Sequence, residues 1–214
     1  PAKYGGLSFE PKWDGFRCLV FKDGDEVELA SRNTKPLTRY FPEVVEAMRE
    51  QLPDRVVLDG EIFTGLEGPE GWRLEFEILQ ERIHPAASRI TKLSEETPAG
   101  FVAFDLLALG DKSYLDRPLV ERRAALVEAL DGLSGPCFLT RTTEDPVEAE
   151  AWFRDFEGAG LDGVVAKPLG GVYEPNKRSM FKIKHERTAD VLLAGYREHK
   201  TSTPEAPLIG SLLL

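Results

Sequence analysis

The sequence contains no stretch that approaches the roughly 18 consecutive apolar residues of a membrane-spanning helix. No charged segment followed by an apolar one opens the chain, so a secretory signal is not expected either. A cytoplasmic location is therefore the default expectation. Repeats and low-complexity tracts are also absent. The 214 residues, 42% hydrophobic and 30% charged, indicate one sizeable globular domain or a domain with an appendage.

Cysteine, histidine and positive charge are also scarce. Cys18 and Cys137 follow neither a CxxC nor a Cys/His ligand spacing, which indicates reduced, structural thiols within strands. His84, His185 and His199 lack ligand spacing as well, so we assign them no chemistry. The formal net charge of -10 argues against a nucleic-acid partner, but a local basic patch can still bind phosphate.

Strand and helix patterns are interspersed along the chain. Residues 7 to 20, LSFEPKWDGFRCLV, read as a strand interrupted by charges. Further strands are predicted over 16–22, 26–31, 55–63, 101–109, 162–169 and 179–186, and helices over 42–52, 119–130 and 145–157. Asp23-Gly24 predicts a tight hairpin turn, and Asp145-Pro146-Val147-Glu148 predicts a helix start with a reciprocal capping glutamate. This order predicts a mostly antiparallel α+β domain with flanking helices.

A domain boundary is expected near residues 186 to 188. Beyond it, residues 189–198 and 209–214 resemble a hairpin separated by a polar Thr/Ser/Pro stretch. Its second strand is apolar and ends without a partner, which leaves an edge that invites association. We therefore expect a first domain over 1–187, and in 188–214 the truncated beginning of a second domain.

Charged residues interrupt the predicted strands at several places. In chain order they are Lys12, Asp14, Arg17, Arg32, Asp59, Glu61, Asp105, Asp162, Lys167, Lys182 and Lys184. Because alternate residues of a strand share a face, the sequence predicts three pairs in which both side chains lie on the same face of a strand. These pairs are Lys12 with Asp14, Asp59 with Glu61, and Lys182 with Lys184.

Such a set matches the needs of a nucleoside triphosphate with Mg²⁺. Cations bind the phosphates, carboxylates bind the metal or the ribose, and an aromatic ring stacks on the base. Any single pair is better explained as a solvated strand face with surface ion pairs. The whole set favours a nucleotide-binding groove.

Six of these segments resemble the motifs of the covalent nucleotidyltransferases, which comprise ATP-dependent DNA ligases, RNA ligases and mRNA capping enzymes. KWDGFR resembles their nucleophile motif KxDGxR, and SRN, LDGEI, FVAFDLL, LDGVVAK and FKIK follow in the family's order between Glu10 and Lys184. Longer segments, among them TRYFPE and LQERIHPAASR, resemble the small bacterial ATP-dependent DNA ligases of the C type. The resemblance implies the nucleotidyltransferase, ATP-grasp-like fold, with an OB-fold domain beginning in 188–214.

The resemblance implies that Lys12 is the nucleophile, which attacks the α-phosphate of ATP to give lysyl-AMP and pyrophosphate. Asp14 is expected to orient the nucleophile or the metal. Only a neutral amine can attack, and we expect Lys182, Lys184 and a bound Mg²⁺ or Mn²⁺ to disfavour the ammonium form. Arg17 is expected to contact the nucleotide and later the DNA 5′-phosphate, with Arg32 as a second phosphate contact.

The remaining roles concern the nucleotide and the metal. By the same resemblance, Glu10 or its backbone reads the adenine edge, Phe104 stacks on adenine, and Val164 or Val165 covers the opposite face. Glu61 contacts the ribose or organises the metal. The positions expected to hold the α-phosphate are Lys167, Lys182 and Lys184, and those expected to bind metal are Glu61 and Asp162. For Phe104, core packing is the simpler alternative from pattern alone.

Two positions depart from the family pattern. Asp162 stands where the family's EGxxxK motif has glutamate, and its shorter side chain moves the carboxylate by about one methylene. Glu157 precedes Gly158 as a competing match, but LDGVVAK keeps the lysine spacing. Phe181 replaces a common tryptophan and keeps an aromatic ring. Trp13, next to the nucleophile, is expected to pack rather than to react.

The implied reaction is nick sealing in double-stranded DNA: enzyme adenylation, AMP transfer to a 5′-phosphate, and attack by a 3′-hydroxyl that releases AMP. DNA-repair proteins are possible partners. Two alternatives remain open, an RNA ligase or capping-type enzyme, and a nucleotide-binding module without ligation. The retained Lys12 argues against the second alternative.

Overall fold

The computed structural model describes residues 5–68, 71–156, 158–175, 177, 179–185 and 190–214. The chain divides into two compact units, Pro1–Lys184 and His185–Leu214. The expected boundary at residues 186 to 188 lies outside the described residues, and the assignment of 188–214 to an OB-fold domain stays a prediction. Within the described part of the chain, no helix has the length and apolar character needed to cross a membrane.

The larger unit is built around a seven-stranded sheet. The strands are β2 (Phe16–Asp23), β3 (Glu26–Ser31), β4 (Arg55–Gly68), β5 (Gly71–Leu74), β6 (Ala99–Leu109), β7 (Lys112–Ser113) and β8 (Cys137–Leu139). The central path of the sheet runs β3-β2-β4-β6-β7, while β5 pairs with β4 and β8 pairs with β6. All of these pairings are antiparallel except β6 with β8.

A second sheet of three strands runs in the order β1-β9-β10, with both pairings antiparallel. Its strands are β1 (Leu7–Pro11), β9 (Val164–Pro168) and β10 (Phe181–Ile183). The predicted strand over 7–20 is therefore wrong in one respect. The chain leaves one sheet at Pro11 and enters the other at Phe16, so the charged residues Lys12 and Asp14 lie in a link between two sheets.

The hairpin predicted at Asp23-Gly24 is confirmed. Strands β2 and β3 pair up to Asp23 and Glu26, and Gly24 takes a positive φ of 59°, which glycine adopts without strain. Alternate β2 side chains enter the core, including Cys18 and Val20. Both cysteines are free, buried thiols, and burial raises the pKa of Cys137 to about 12. The structural interpretation of these thiols is therefore confirmed.

Five α-helices pack beside the sheets in the described residues. They are α1 (Pro42–Gln51), α2 (Phe76–Glu81), α3 (Ala87–Glu96), α4 (Leu119–Ala129) and α5 (Pro146–Asp155). The apolar face of α1 buries Val44 and Met48 against the seven-stranded sheet in the main hydrophobic core. Helices α2 and α3 were not predicted.

The start of α5 differs from the expected capping box. The Asp145 carboxylate accepts a hydrogen bond from the Val147 N–H at 2.9 Å, as predicted for a cap. The Asp145 N–H donates to the Thr143 hydroxyl at 3.1 Å instead of to Glu148. The reciprocal half of the box was therefore wrong, because a hydroxyl two residues upstream already satisfies that donor.

The smaller unit holds a two-stranded antiparallel hairpin of β11 (Gly195–Glu198) and β12 (Ile209–Leu213). Its apolar side chains are largely exposed, including Tyr196, Ile209 and Leu213.

Candidate active site

Backbone hydrogen bonds bring the end of β1 against the start of β9. The Lys12 N–H donates to the Gly163 carbonyl at 2.8 Å, and the Asp162 N–H donates to the Lys12 carbonyl at 3.1 Å. Gly163 has a φ of +126°, and a Cβ there would lie 2.0 Å from the Ile183 carbonyl oxygen. Only glycine fits at this position, which explains the glycine in LDGVVAK.

Gly15 allows a second close approach. A Cβ at this position would lie 2.1 Å from the Ile62 carbonyl oxygen and 3.0 Å from the Glu61 side chain. The link between the sheets therefore presses directly on β4. Trp13 fixes the same link, because its indole N–H donates to the Thr140 hydroxyl at 3.0 Å and its ring stacks on Phe63. The packing role expected for Trp13 agrees with these contacts.

Lys12 forms an ion pair with Asp162, 2.6 Å from Nζ to Oδ2. Lys184 contacts the same carboxylate oxygen at 2.8 Å. Burial raises the pKa of Asp162, but the hydrogen bonds from Lys12 and Lys184 outweigh it and hold the pKa below its usual value. Both lysines therefore share one carboxylate, which the sequence had assigned to a metal.

This arrangement corrects one expectation about Lys12. Lys12 and Asp14 were predicted to share a strand face, but both lie in the link outside any strand. The cations expected beside Lys12 are Lys182 and Lys184. Lys184 shares the Asp162 carboxylate with Lys12, and the charge of Lys12 lowers the pKa of Lys182, so both lie near the nucleophile. That these cations activate Lys12 stays a prediction.

Arg17 is held by a forked contact to Asp59. Its Nε lies 3.0 Å from Oδ1 and its Nη2 lies 2.5 Å from Oδ2 of Asp59, which is fully buried. The Tyr173 hydroxyl donates to Asp59 Oδ2 at 2.9 Å and accepts from Arg17 Nη2 at 3.3 Å. The hydrogen bond to Asp59 raises the pKa of Arg17 despite partial burial, so the guanidinium stays charged.

Phe104 reaches the site through an irregularity in β6. In the pairing of β4 with β6, Asp59 faces Asp105 and Gly60 faces Ala103, so Phe104 is the extra residue of a β-bulge. A bulge re-aims a side chain that regular pleating would place elsewhere. The half-buried ring then lines the cleft, beneath Lys167 Nζ at 4.5 Å from its centroid.

Glu10 and Lys167 form a buried ion pair within the three-stranded sheet. Their closest atoms are 2.6 Å apart, and both side chains are 8% exposed. Burial raises the pKa of Glu10, although Lys167 opposes this by charge and hydrogen bonding. The charge of Lys167 is thus balanced already, so its predicted phosphate contact requires a change of partner.

Glu61 is a partly buried carboxylate on β4 that makes no ion pair or hydrogen bond with the residues described here. Burial raises its pKa to about 7, opposed by the charge of Arg17 and reinforced by that of Asp59. A desolvated, unpaired carboxylate is the kind of oxygen ligand that a divalent cation or a ribose hydroxyl satisfies.

Two cations of the predicted set, Lys182 and Arg32, form no ion pair within the described ranges. Burial lowers the pKa of Lys182, and the charges of Lys12, Arg17 and Arg32 lower it further. The charge of Glu61 opposes this shift only in part, so Lys182 lies in a region of mostly positive charge, as expected at a site for polyphosphate.

These residues surround an open cleft of about 800 Å³, a size that suits a nucleotide. The predicted residues that line it are Glu10, Lys12, Asp14, Arg17, Arg32, Glu61, Phe104, Val165, Lys167 and Lys182. Val165 is the lining residue of the two valines proposed. Asp162 and Lys184 do not line the cleft, but Asp162 contacts Lys12.

Sequence reasoning missed several residues of the cleft and its surroundings. Tyr40, Ile83 and Met180 line the cleft but were assigned no role, although Tyr40 and Ile83 lie in the segments TRYFPE and LQERIHPAASR. Tyr173 and Arg122 support it from outside. Arg122 lies within a helix pattern, and its buried ion pair with Asp105 at 2.7 Å cannot be read from spacing. No histidine lines the cleft. Among the described residues, there is no cluster of three or more side chains that could bind a metal ion together.

Comparison with known proteins decides the family. The model of the ATP-dependent DNA ligase domain matches residues 2–184, which is most of the chain. The chain belongs to this family. The ligase domain thus has the nucleotidyltransferase fold, and the predicted α+β class with mostly antiparallel sheets is confirmed.

Curated relatives are consistent with this assignment. The ligase domain is 59% identical over 210 residues to DNA ligase C2 of Mycolicibacterium smegmatis, covering 98% of this chain and 57% of that protein. It is 57% identical over 211 residues to DNA ligase C of Mycobacterium tuberculosis, covering 97% of this chain and 57% of that protein. The resemblance to C-type ligases is confirmed, and the chain spans a little over half the length of these relatives.

Solved structures of ligase domains agree with this family assignment. The ligase domain of M. tuberculosis LigD matches with a TM-score of 0.66 and 30% identity, covering 97% of this chain and 62% of that one. A mycobacterial DNA ligase D complexed with ATP and MES matches with a TM-score of 0.64 and 28% identity, covering 98% of this chain and 62% of that one.

Proposed function

We propose that this chain is the catalytic core of an ATP-dependent DNA ligase, which transfers AMP from ATP to Lys12 and then to the 5′-phosphate of nicked double-stranded DNA. The observation that carries the proposal is the cleft, which gathers ten of the predicted residues, among them two cations without an anionic partner in the described chain. A ligand with several negative charges and an aromatic base matches this lining. DNA-repair proteins remain possible partners.

In the proposed first step, Lys12 attacks the α-phosphate of ATP, and the phosphorus–oxygen bond to pyrophosphate breaks. Lys182 and Arg32 hold the phosphates, while Arg17 presents a fixed planar fork. Phe104 stacks on the adenine ring, with Val165 on the other face and Glu10 at the base edge. These roles follow from the position of each side chain in the cleft and from the family resemblance.

Lys12 must lose its proton and its contact with Asp162 before it can attack. The present arrangement, with Asp162 between Lys12 and Lys184, is suited to holding the lysine in place before the reaction. When the phosphates of ATP draw Lys184 toward them, Asp162 loses one of its two partners. The reaction therefore involves an exchange of ion pairs at this carboxylate.

The carboxylates at the cleft fit a divalent cation, Mg²⁺ or Mn²⁺. Glu61 supplies a desolvated oxygen ligand without a partner among the described residues, whereas Asp162 is available only when its lysines move. Such a cation neutralises phosphate charge as it develops.

The test is intact-mass analysis and peptide mapping of the chain after pyrophosphate treatment and again after ATP with Mg²⁺. We expect an AMP adduct on the Lys12 peptide that pyrophosphate removes and that Lys12→Ala lacks. Lys92→Ala, which removes an exposed lysine of α3, is the matched control and should be adenylated normally. An adduct on another lysine, or adduct formation with GTP and not ATP, would contradict the proposal.

A further inference from the structure

Tyr173 lies in the segment between β9 and β10, outside all the motifs that the sequence analysis singled out. Its hydroxyl joins Arg17 and Asp59 in a closed network, with distances of 3.3 Å to Arg17 Nη2 and 2.9 Å to Asp59 Oδ2. Because Arg17 also bonds Asp59 directly through two nitrogens, the three groups restrain one another. Burial and the charge of Asp59 raise the pKa of Tyr173, so the hydroxyl keeps its proton and remains a donor.

The position of Tyr173 differs from that of Arg17 in one respect. Arg17 lines both the nucleotide cleft and a side chamber of about 250 Å³, whereas Tyr173 lines only the chamber. Tyr173 is therefore placed to support Arg17 from the chamber side, and any effect on a ligand in the cleft must pass through Arg17.

The segment that carries Tyr173 is anchored independently of the cleft. The Tyr173 N–H donates to the Leu115 carbonyl at 3.0 Å, and the Gly171 carbonyl accepts from the Leu119 N–H at 2.9 Å. Arg122 also donates to the Gly171 carbonyl at 2.9 Å, while its other nitrogens bind the buried Asp105. The backbone that carries Tyr173 is thus held by α4 and by the segment before it.

We propose that Tyr173 is a positioning residue, which fixes the Arg17 guanidinium in the orientation that meets phosphate in the cleft. The two hydrogen bonds to Asp59 constrain the plane of the guanidinium, and the tyrosine hydroxyl adds a third hydrogen bond at Nη2. The catalytic part of this inference rests on the proposed function, because it assumes that Arg17 acts on the nucleotide.

The test compares wild type with Tyr173→Phe, which removes one oxygen atom and keeps the ring. The matched control is Tyr114→Phe, because Tyr114 is a buried tyrosine of the main core with no hydroxyl hydrogen bond to the described residues. The first measurement is ¹⁵N NMR of the Arg17 Nε–H group. We expect its order parameter to fall in Tyr173→Phe and to stay unchanged in Tyr114→Phe.

The second measurement is the single-turnover rate of Lys12 adenylation. We expect Tyr173→Phe to be slower by about three- to tenfold, the range that loss of one or two hydrogen bonds gives. In an Arg17→Lys background the same substitution should cause no further loss, because its effect acts through Arg17. A merely structural role would give the same loss in both backgrounds.

The outcomes separate the two proposals. If wild type forms no lysyl-AMP, the proposed function fails, and the NMR comparison alone decides the positioning role. An unchanged Arg17 order parameter in Tyr173→Phe, or equal rate losses in the wild-type and Arg17→Lys backgrounds, would overturn the proposal for Tyr173. Where Arg17→Lys is too slow to measure, the NMR result again decides.

Discussion

The two ends of the cleft hold their charges in different ways. At one end, which we call the arginine wall, Arg17 is locked by Asp59 and Tyr173 through several hydrogen bonds. At the other, which we call the lysine end, Lys12 and Lys184 share Asp162 through single contacts, and Lys182 has no anionic partner in the described chain. One end is fixed, and the other has charges that can change partners.

Side-chain chemistry explains the difference. A guanidinium is a planar fork that matches a carboxylate through two bonds, whereas an ammonium is a point charge on a flexible stem. A guanidinium held in one orientation suits a constant task such as orienting a phosphate. A group that must lose a proton, attack and carry a nucleotide requires partners that can be exchanged.

The strongest test of the fixed end is Arg122→Met, which leaves the buried Asp105 carboxylate without its partner. We expect a loss of about 3 to 5 kcal/mol in the free energy of unfolding, measured by urea denaturation. Arg154→Met breaks an exposed pair on α5 and is expected to cost less than about 0.5 kcal/mol. Equal losses in the two variants would mean that the buried pair of Arg122 with Asp105 contributes no more to stability than an exposed pair. A second change, Asp105→Leu with Arg122→Met, should recover part of the loss.

The strongest test of the lysine end is Lys182→Ala. We expect adenylation of Lys12 to slow by about 10- to 100-fold, since a cation that faces developing phosphate charge is lost. Single-turnover kinetics with ATP measure this rate, and Lys92→Ala serves as the exposed control. An unaffected rate would show that phosphate is held elsewhere, with Lys167 or Arg32 as the next candidates. The stability of Lys182→Ala should be close to that of wild type.

Glu61 is affected by the charges of both Arg17 and Lys12, and it gives a prediction that depends on pH. Its folded-state pKa of about 7 lies above its ordinary value of 4.5, so the folded protein binds an extra proton between these values. Stability is therefore lost as the pH rises from about 4.5 to 7. We expect Glu61→Gln to be more stable than wild type by about 1 to 2 kcal/mol at pH 8.

The extra stability of Glu61→Gln should vanish toward pH 4, where the Glu61 carboxyl group is protonated in both the folded and the unfolded state. Urea denaturation of wild type and Glu61→Gln between pH 4 and pH 8 measures this stability difference, with the exposed Glu28→Gln as control. Adenylation by Glu61→Gln should fall although the protein is more stable. A constant stability difference across the range would contradict the assigned pKa.

Much of the site could be predicted because its residues lie in short charged motifs within apolar strands. Lys12, Arg17, Glu61 and Lys182 stand out as charges where a strand should be apolar, and all four line one cleft. Their partners could not be predicted in the same way. The contact between Lys12 and Asp162 joins residues 150 positions apart, and no pattern specifies which carboxylate a lysine meets.

The fold shows the same division at particular elements. The hairpin at Gly24 and the helix α1 follow from local turn chemistry and periodicity, and both are confirmed. Helix α2 has only six residues, and α3, although as long as α1, has no capping side chain and no acidic residue in its first turn, so both were missed. The break between β1 and β2 was missed because strand periodicity continues on both sides of it.

The sequence by itself determined the order of the motifs and the residue types of the site. The tertiary structure decided which charges are already neutralised and which remain available to a ligand. It placed Phe104 in the cleft through a bulge between β4 and β6, and it placed Tyr173 behind Arg17. The reason is physical: local chemistry acts between near neighbours in the chain, whereas pairing, burial and pKa depend on groups that only folding brings together.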